Sequence, residues 1–143
     1  MIQDNSNNAI EAIQELVSII AKLRNPEAGC PWDLEQTHIS LIPYLLEESY
    51  EVADAIRNKN DNALKEELGD LLLQIMLHAQ IASEEQNFDL KDIIKNLNKK
   101  LIRRHPHVFS NKQIQTIAQA KESWEAAKIA EKSLSNSKNQ FSD

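Results

Sequence analysis

The sequence predicts an all-α protein, and three features of its 143 residues carry that prediction. Only two glycines and four prolines interrupt a chain rich in the helix-favouring residues Ala, Leu, Ile, Glu and Lys. Apolar residues recur at the three- and four-residue spacing of amphipathic helices. The length suits one domain with a hydrophobic core. We therefore expect a helical bundle of four to five helices, with residues 1–133 as a single domain and residues 134–143 as a polar, flexible tail.

The first two helices are predicted on either side of a loop. Apolar residues at helical spacing indicate a helix over residues 8–24. The following segment, RNPEAGCPWD, contains both Pro and Gly and is expected to be a loop. A second helix is expected to begin within residues 37–40, to accommodate Pro43 in its first turn and to end near Lys59.

Three more helices are predicted in the second half of the chain. The third helix, residues 62–86, follows a turn in which Asp61 is a candidate N-cap, and it is apolar nearly all round, which indicates burial. The fourth helix, LKDIIKNLNKKLIRR, ends before Pro106, and the segment HPHVFSNKQIQ is expected to be irregular. The segment AQAKESWEAAKIAEK is predicted to form a last, more exposed helix.

Charge and composition exclude several functional classes. The net charge of −6 argues against broad binding to nucleic acids or anionic membranes, which require a basic surface. No apolar run is long enough to span a bilayer, and the N-terminus lacks the pattern of a signal peptide. The single cysteine, Cys30, allows neither an internal disulfide nor a cysteine-based zinc site. We therefore expect a soluble cytoplasmic protein.

Two neighbouring helices each carry a pair of acids beside an apolar stripe. Glu48 and Glu51 are three residues apart on the second helix, and Glu67 and Asp70 are three apart on the third. The intervening turn allows the helices to fold back antiparallel. Four converging carboxylates would repel one another unless a proton or a hard divalent cation intervened, and oxygen ligands suit Mg²⁺ or Mn²⁺. The alternatives are an ordinary solvated acidic face and a di-iron centre, but the one Glu-x-x-His of the sequence, Glu35 to His38, lies before the second helix and not on a helix that carries an acid pair.

Basic and aromatic residues elsewhere suit a phosphorylated ligand. Mg²⁺ held by few protein oxygens commonly also contacts substrate phosphates. Lys100, Arg103 and Arg104 on the fourth helix are candidates to bind those phosphates, or else they simply suit the negative end of the helix dipole. In the loop GCPWDLEQTH, Trp32 and His38 are candidates to stack on and hydrogen-bond a base. The alternative for Trp32 is to close the end of the bundle.

Four segments together resemble one known family. GCPWDLEQTHISLIPYLLEESYEVADAI, LKEELGDLLLQIMLHAQIASEEQNFDL, KLIRRHPHVF and SWEAAKIAEK are similar to the MazG family of nucleoside triphosphate pyrophosphohydrolases, and the likeness covers about residues 9–132. The acidic signature alone is moderately specific, whereas its combination with CPWDxxQTH and RRHPHVF, in this order, is highly specific. Many relatives carry two tandem copies of the domain, and this chain resembles the first copy, with its acidic motif intact.

The resemblance implies an activity, a cofactor and an assembly. Members of the family are all-α, depend on Mg²⁺, for which Mn²⁺ is a substitute, and hydrolyse a nucleoside triphosphate to a monophosphate and pyrophosphate. They assemble as dimers or higher homo-oligomers. Two alternatives are a non-catalytic helical module that senses nucleotides and a more specialised dUTP or dCTP pyrophosphatase of the same all-α group.

The resemblance also implies roles for individual residues. It assigns the metal to four carboxylates: Glu48, Glu51, Glu67 and Asp70. It assigns Glu47 and Glu48 to catalysis, with Glu47 either as an acid that supports the metal ligands or as the group that orients water. Lys100 and Arg104 match positions that contact phosphates, and Trp124 matches an aromatic residue near the nucleotide.

Overall fold

The structure is a computed structural model. It describes the backbone of residues 2–111, 113 and 116–139 and the side chains of residues 7–111, 113 and 116–135. Within these ranges every regular element is helical, which confirms the all-α class. The helices in chain order are α1 (Ile2–Leu23), α2 (Pro31–Glu35), α3 (Ile42–Arg57), α4 (Asp61–Glu84), α5 (Leu90–Arg104), α6 (Pro106–Phe109) and α7 (Ile117–Asn139).

The two shortest helices begin in segments that were expected from the sequence to be a loop and an irregular stretch. Pro31 and Pro106 occupy the first turns of α2 and α6, where the fixed φ of proline favours a helical start and its missing N–H is not needed. The start of α4 also differs from expectation. The N-cap is Asn60 and not Asp61, because the Asn60 side chain accepts a hydrogen bond from the Ala63 N–H at 3.1 Å.

The chain divides into two compact units, residues 1–90 and 91–143. In the first unit, α3 packs along α4, and α1 also contacts α4. Their core comprises Ile20, Leu41, Met76, Leu77 and Ile81, against which Leu16, Leu23, Leu73 and Leu90 pack. The first half of α4 is less buried than its composition suggests, since Leu68, Leu72 and Ile75 remain 41–48% exposed.

Schellman motifs end both α3 and α4 without a glycine. Lys59 and Gln86 adopt left-handed conformations, with φ of 53° and 61°. At the end of α3, the Asn60 N–H donates to the Ala55 carbonyl at 3.2 Å, and Asn87 donates to Ala82 in the same way after α4. The first of these motifs reverses the chain within three residues and sets α4 against α3.

The second unit contains most of α5, together with α6 and α7. The last helix continues to Asn139, so residues 134–139 have helical backbone, and residues 140–143 lie outside the described range. The assignment of residues 1–133 to one domain and of 134–143 to a flexible tail stays a prediction. None of the helices in the described part of the chain combines the length and apolar character needed to cross a membrane.

Candidate functional site

The acids of α3 and α4 converge on one place in the first unit. Glu48, Glu67 and Asp70 each offer a carboxylate oxygen, and these oxygens all lie within 4.8 Å of one another. Glu51 shares a side-chain hydrogen bond with Glu67. Glu51, one turn after Glu48 on α3, thus faces the residue one turn before Asp70 on α4. The antiparallel pairing of the two helices therefore joins two pairs of acids, each spaced by three residues, into one cluster.

Burial and mutual repulsion both raise the pKa values of two acids in this cluster, Glu48 and Glu67. The pKa of Glu48 is raised, first by burial and then by the charges of Glu51, Asp70 and Glu47. The hydrogen bond with Glu51, together with burial and the neighbouring acids, raises the pKa of Glu67 to about 7. One oxygen of Glu48 and one of Glu67 are buried without a hydrogen-bond partner. A cation would provide a partner for both of these oxygens.

A small cleft opens beside the acids. Its volume is about 190 Å³, and its walls include Glu51 and Glu67 together with Asn58 and Asn60 from the turn between the helices. Glu47 lies on the exposed side of α3, next to Glu48 in sequence. The carboxylates are thus accessible from solvent on one side and supported by packed helices on the other.

Trp32 lies against the first turn of α3. Its ring meets the ring of Tyr44 edge to face, with centroids 5.5 Å apart and planes at 85°. Tyr44 precedes Glu48 by one helical turn. Trp32 remains 45% exposed, so part of its ring is accessible to solvent. Its exposed surface is open to a planar ligand.

His38 is held against α4 by a second histidine. The rings of His38 and His78 stack with centroids 5.0 Å apart, and their Nδ1 atoms are 2.7 Å apart, which requires one proton between them. Nε2 of His38 lies 3.7 Å from a carboxylate oxygen of Glu85. Burial, followed by the charge of His38, lowers the pKa of His78. The position of His38 is therefore set by α4.

The basic residues of α5 lie in the second unit, where an acid from α7 holds two of them. Glu131 accepts hydrogen bonds from Nε of Arg103 at 2.6 Å and from both Nε and a terminal nitrogen of Arg104. These bonds, first from Arg104 and then from Arg103, lower the pKa of Glu131 to about 2. The Arg104 guanidinium lies 4.9 Å from the centre of the Trp124 ring, a cation–π contact.

Lys100 and Arg104 line a broad cleft between α5 and α7. Its volume is about 570 Å³, and Lys128 and Lys132 add two more positive charges to its wall, with Glu125 and Glu131 as the acids. The structure thus brings Lys100, Arg104 and further lysines together in the second unit, while Glu48, Glu67 and Asp70 form the cluster of the first.

Three contacts in the structure involve partners that the sequence alone does not identify. Glu131 belongs to a helix of alternating charges, and His78 lies within an apolar run. Arg24, which follows α1, forms a partly buried ion pair with Glu84, sixty residues later. No spacing or local pattern in the chain indicates such a pair, because only the packing of α1 against α4 brings its members together.

Comparison with known proteins agrees with this architecture. Residues 36–109 match the family described as MazG nucleotide pyrophosphohydrolase domain. The chain is similar to the nucleoside triphosphate pyrophosphohydrolase/pyrophosphatase MazG of Thermotoga maritima, with 56% identity over 119 residues, which is 83% of this chain and 45% of that protein. It is similar also to the nucleoside triphosphate pyrophosphohydrolase of Escherichia coli K12, with 47% identity over 84% of this chain and 46% of that protein.

A solved structure shares the fold. The crystal structure of a mazG-related protein from Thermotoga maritima superposes with a TM-score of 0.65 and 29% identity, and the match covers 82% of this chain and 97% of that one. The chain spans a little under half the length of the curated relatives described above. Since the match to the domain extends over more than half of its 143 residues, the chain belongs to the MazG nucleotide pyrophosphohydrolase domain family.

Proposed function

We propose that this chain hydrolyses nucleoside triphosphates to nucleoside monophosphates and pyrophosphate, at the acid cluster of α3 and α4 and with a divalent cation. The observation that carries the proposal is the convergence of Glu48, Glu67 and Asp70 within 4.8 Å, from two antiparallel helices. Membership of the MazG domain family supports it, as do the names of the relatives from Thermotoga maritima and Escherichia coli. The proposed role is the removal of surplus or non-standard nucleotides.

The residues present fit a divalent cation. Glu48, Glu67 and Asp70 would hold it, with Glu51 as the fourth carboxylate, and the unpartnered oxygens of Glu48 and Glu67 are free to bind it. An all-oxygen donor set suits Mg²⁺, with Mn²⁺ as a substitute. When bound, such a cation neutralises phosphate oxygens and lowers the pKa of water.

The bond cut is the one between the α-phosphorus and the oxygen that bridges it to the β-phosphorus. We assign Glu47, on the exposed side of α3 next to Glu48, to orient the water that attacks the α-phosphorus. The rest of the protein positions and neutralises charge, which is the main contribution of enzymes to phosphoryl chemistry. Pyrophosphate is the leaving group.

Substrate contacts follow from the exposed and basic side chains. We assign Trp32 and His38 to the base, because Trp32 presents an open ring surface and His38 is fixed one segment before α3. We assign Lys100, Arg103 and Arg104 to the phosphates and Trp124 to the nucleotide. Glu131 and Trp124 hold the Arg104 guanidinium in one orientation beside the cleft that Lys100 also lines.

The chain is also proposed to form a homo-oligomer, at least a dimer. Leu68, Leu72 and Ile75 follow one another at helical spacing on α4 and are each more than 40% exposed. A contiguous apolar stripe of this kind is typical of a protein–protein interface. Sedimentation at micromolar concentration tests the proposal, and a monomer would contradict it. The cytoplasmic location stays a prediction from the sequence.

Product analysis tests the proposed reaction. We expect equal amounts of monophosphate and pyrophosphate when the protein is incubated with Mg²⁺ and a substrate panel that consists of the eight common ribo- and deoxyribonucleoside triphosphates and dUTP. EDTA should abolish the activity, and Mg²⁺ or Mn²⁺ should restore it. Release of a diphosphate and orthophosphate would refute attack at the α-phosphorus. Turnover confined to dUTP or dCTP would identify a specialised pyrophosphatase, and cation binding without turnover would identify a sensing module.

A further inference from the structure

Arg24 is a buried arginine that connects three parts of the first unit. It follows the last residue of α1, and its side chain is only 7% exposed. Its Nε donates to one oxygen of Glu84 at 2.9 Å, and a terminal nitrogen donates to the other at 2.8 Å. This two-pronged pair joins the end of α1 to the end of α4, since Glu84 is the last residue of α4.

The remaining terminal nitrogen of Arg24 holds the end of α2. It donates to the backbone carbonyls of Asp33 and Gln36, the latter at 3.2 Å. Asp33 lies in the last turn of α2, where its carbonyl also accepts the backbone N–H of the C-cap residue Gln36 at 3.2 Å, so Arg24 adds a donor at the C-terminal end of the helix. A positive charge at a helix C-terminus is also favoured by the helix dipole. Arg24 therefore caps the short helix that carries Trp32.

Gly29 allows the preceding loop to bring α2 within reach of this arginine. A Cβ on Gly29 would lie 2.5 Å from the carbonyl oxygens of both Leu23 and Asn25. The tight loop is closed by the Cys30 N–H, which donates to the Leu23 carbonyl at 2.9 Å. The residue at position 29 therefore has to be a glycine, and the loop returns the chain to the end of α1.

A short series of contacts leads from α2 to the acid cluster. The Gln36 side-chain amide donates to the Trp32 carbonyl at 2.9 Å, and the Ser40 hydroxyl donates to the Gln36 side-chain oxygen at 2.8 Å. The Trp32 ring meets Tyr44, which lies one turn before Glu48. A movement of α2 would therefore move the aromatic ring relative to the carboxylates.

We infer that Arg24, fixed by Glu84, is a positioning residue for nucleotide binding: it holds α2 so that Trp32 stands at a fixed place beside the acids. This inference rests on the proposed function. Arg24 is itself buried and is not expected to touch the nucleotide. Its partner is held firmly in the charged form, because the hydrogen bond from Arg24 lowers the pKa of Glu84.

The inference is tested with variants that weaken the contacts in steps. Arg24→Gln removes the positive charge and most of the hydrogen-bond donors of the guanidinium. Arg24→Lys keeps the charge but cannot form the two-pronged pair with Glu84. Glu84→Gln weakens that pair and leaves the bonds from Arg24 to the α2 carbonyls available. Lys22→Gln is the matched control, since it removes one positive charge from an exposed position two residues away. The measurements are KM and kcat for the triphosphate that the wild type hydrolyses fastest, and hydrogen exchange of residues 30–40.

We expect KM to rise about tenfold or more in Arg24→Gln, less in Arg24→Lys and least in Glu84→Gln, with kcat within about threefold of wild type. Hydrogen exchange of residues 30–40 should accelerate most in Arg24→Gln and least in Glu84→Gln, while the amides of α3 and α4 keep their protection from exchange. Lys22→Gln should match the wild type in every measurement. The expected effect is on KM because a displaced Trp32 weakens binding of substrate and transition state alike.

The outcomes separate this inference from the proposed function. A wild type that releases no monophosphate contradicts the proposed function, whatever the variants do. An active wild type together with unchanged KM in Arg24→Lys and Glu84→Gln overturns the inference alone, even if both variants melt at lower temperature. Should Arg24→Gln fail to fold, those two milder variants decide the matter.

Discussion

Glu67→Gln is the substitution that distinguishes a metal site from a structural acid most sharply. The carboxylate of Glu67 faces those of Glu48, Glu51 and Asp70, and the pKa of Glu67 is raised to about 7. The amide keeps the shape of the side chain but neither carries the charge nor binds a hard cation well. We expect turnover to fall by about a hundredfold, since loss of a ligand weakens both cation binding and its effect on the substrate.

The effect on stability depends on pH with a definite sign. A carboxyl group whose pKa is raised on folding stabilises the protein fully below the ordinary glutamate value near 4.5, and this contribution is lost as pH rises through about 7. Ionisation of Glu67 as pH rises through about 7 places a further negative charge beside Glu51, Asp70 and Glu48. Metal-free Glu67→Gln should therefore melt at or above metal-free wild type, and the difference should widen between pH 6 and pH 8.

Added Mg²⁺ should reverse the order of the two proteins. A ligand at about a hundred times its dissociation constant stabilises a protein by ~2.7 kcal/mol, which at roughly 3 °C per kcal/mol raises the melting temperature by about 8 °C. The wild type should show this rise, and Glu67→Gln should show little of it. Glu66→Gln is the matched control, because it removes the same charge from the adjacent, exposed position on α4.

Thermal melting of both proteins is measured at pH 6 and pH 8, with and without Mg²⁺, together with their turnover rates. These measurements decide whether Glu67 is a metal ligand or a structural acid. If Glu67 were a structural acid, the metal-free variant would melt well below the metal-free wild type and would retain its turnover. That result would refute the assignment of these carboxylates to a cation. A melting difference that narrowed as pH rose would refute the electrostatic reasoning separately.

Three further predictions concern the core, the basic cleft and the paired histidines. Leu77→Ala should lower the free energy of unfolding by about 2–5 kcal/mol in urea titrations, because Leu77 is 1% exposed at the centre of the first unit. Arg104→Lys should raise KM about tenfold at nearly constant kcat, since lysine lacks the planar fork and its stacking on Trp124. His78→Gln should reduce the loss of stability on acidification below about pH 6.5, measured by urea unfolding, because burial and His38 lower the pKa of His78 and so oppose its protonation.

Each of these has an outcome that contradicts it. A cost below about 1 kcal/mol for Leu77→Ala would mean that the described core is not tightly packed. An unchanged KM in Arg104→Lys would remove Arg104 from the phosphate contacts. Wild type and His78→Gln with parallel losses of stability between pH 7.5 and pH 5 would show that the stacked rings do not govern the acid response.

Local patterns in the sequence were sufficient for the fold class and for the choice of acids. The helical spacing of apolar residues, the scarcity of glycine and the two acid pairs are properties of segments shorter than thirty residues, and helix geometry alone places residues three apart on one face. The prolines at the starts of α2 and α6 were also visible, but five- and four-residue helices are too short for periodicity to reveal them.

The tertiary structure decided which of these residues meet. The register of α3 against α4 sets Glu51 beside Glu67 and so creates the raised pKa, which no single segment contains. The Arg24–Glu84 pair and the His38–His78 stack join residues sixty and forty positions apart. Such contacts depend on how apolar faces pack in three dimensions, and many distant partners are compatible with the same local pattern. The sequence therefore determined the chemistry that the chain carries, and the packing of α1, α3 and α4 determined where that chemistry is assembled and which residues hold it in place.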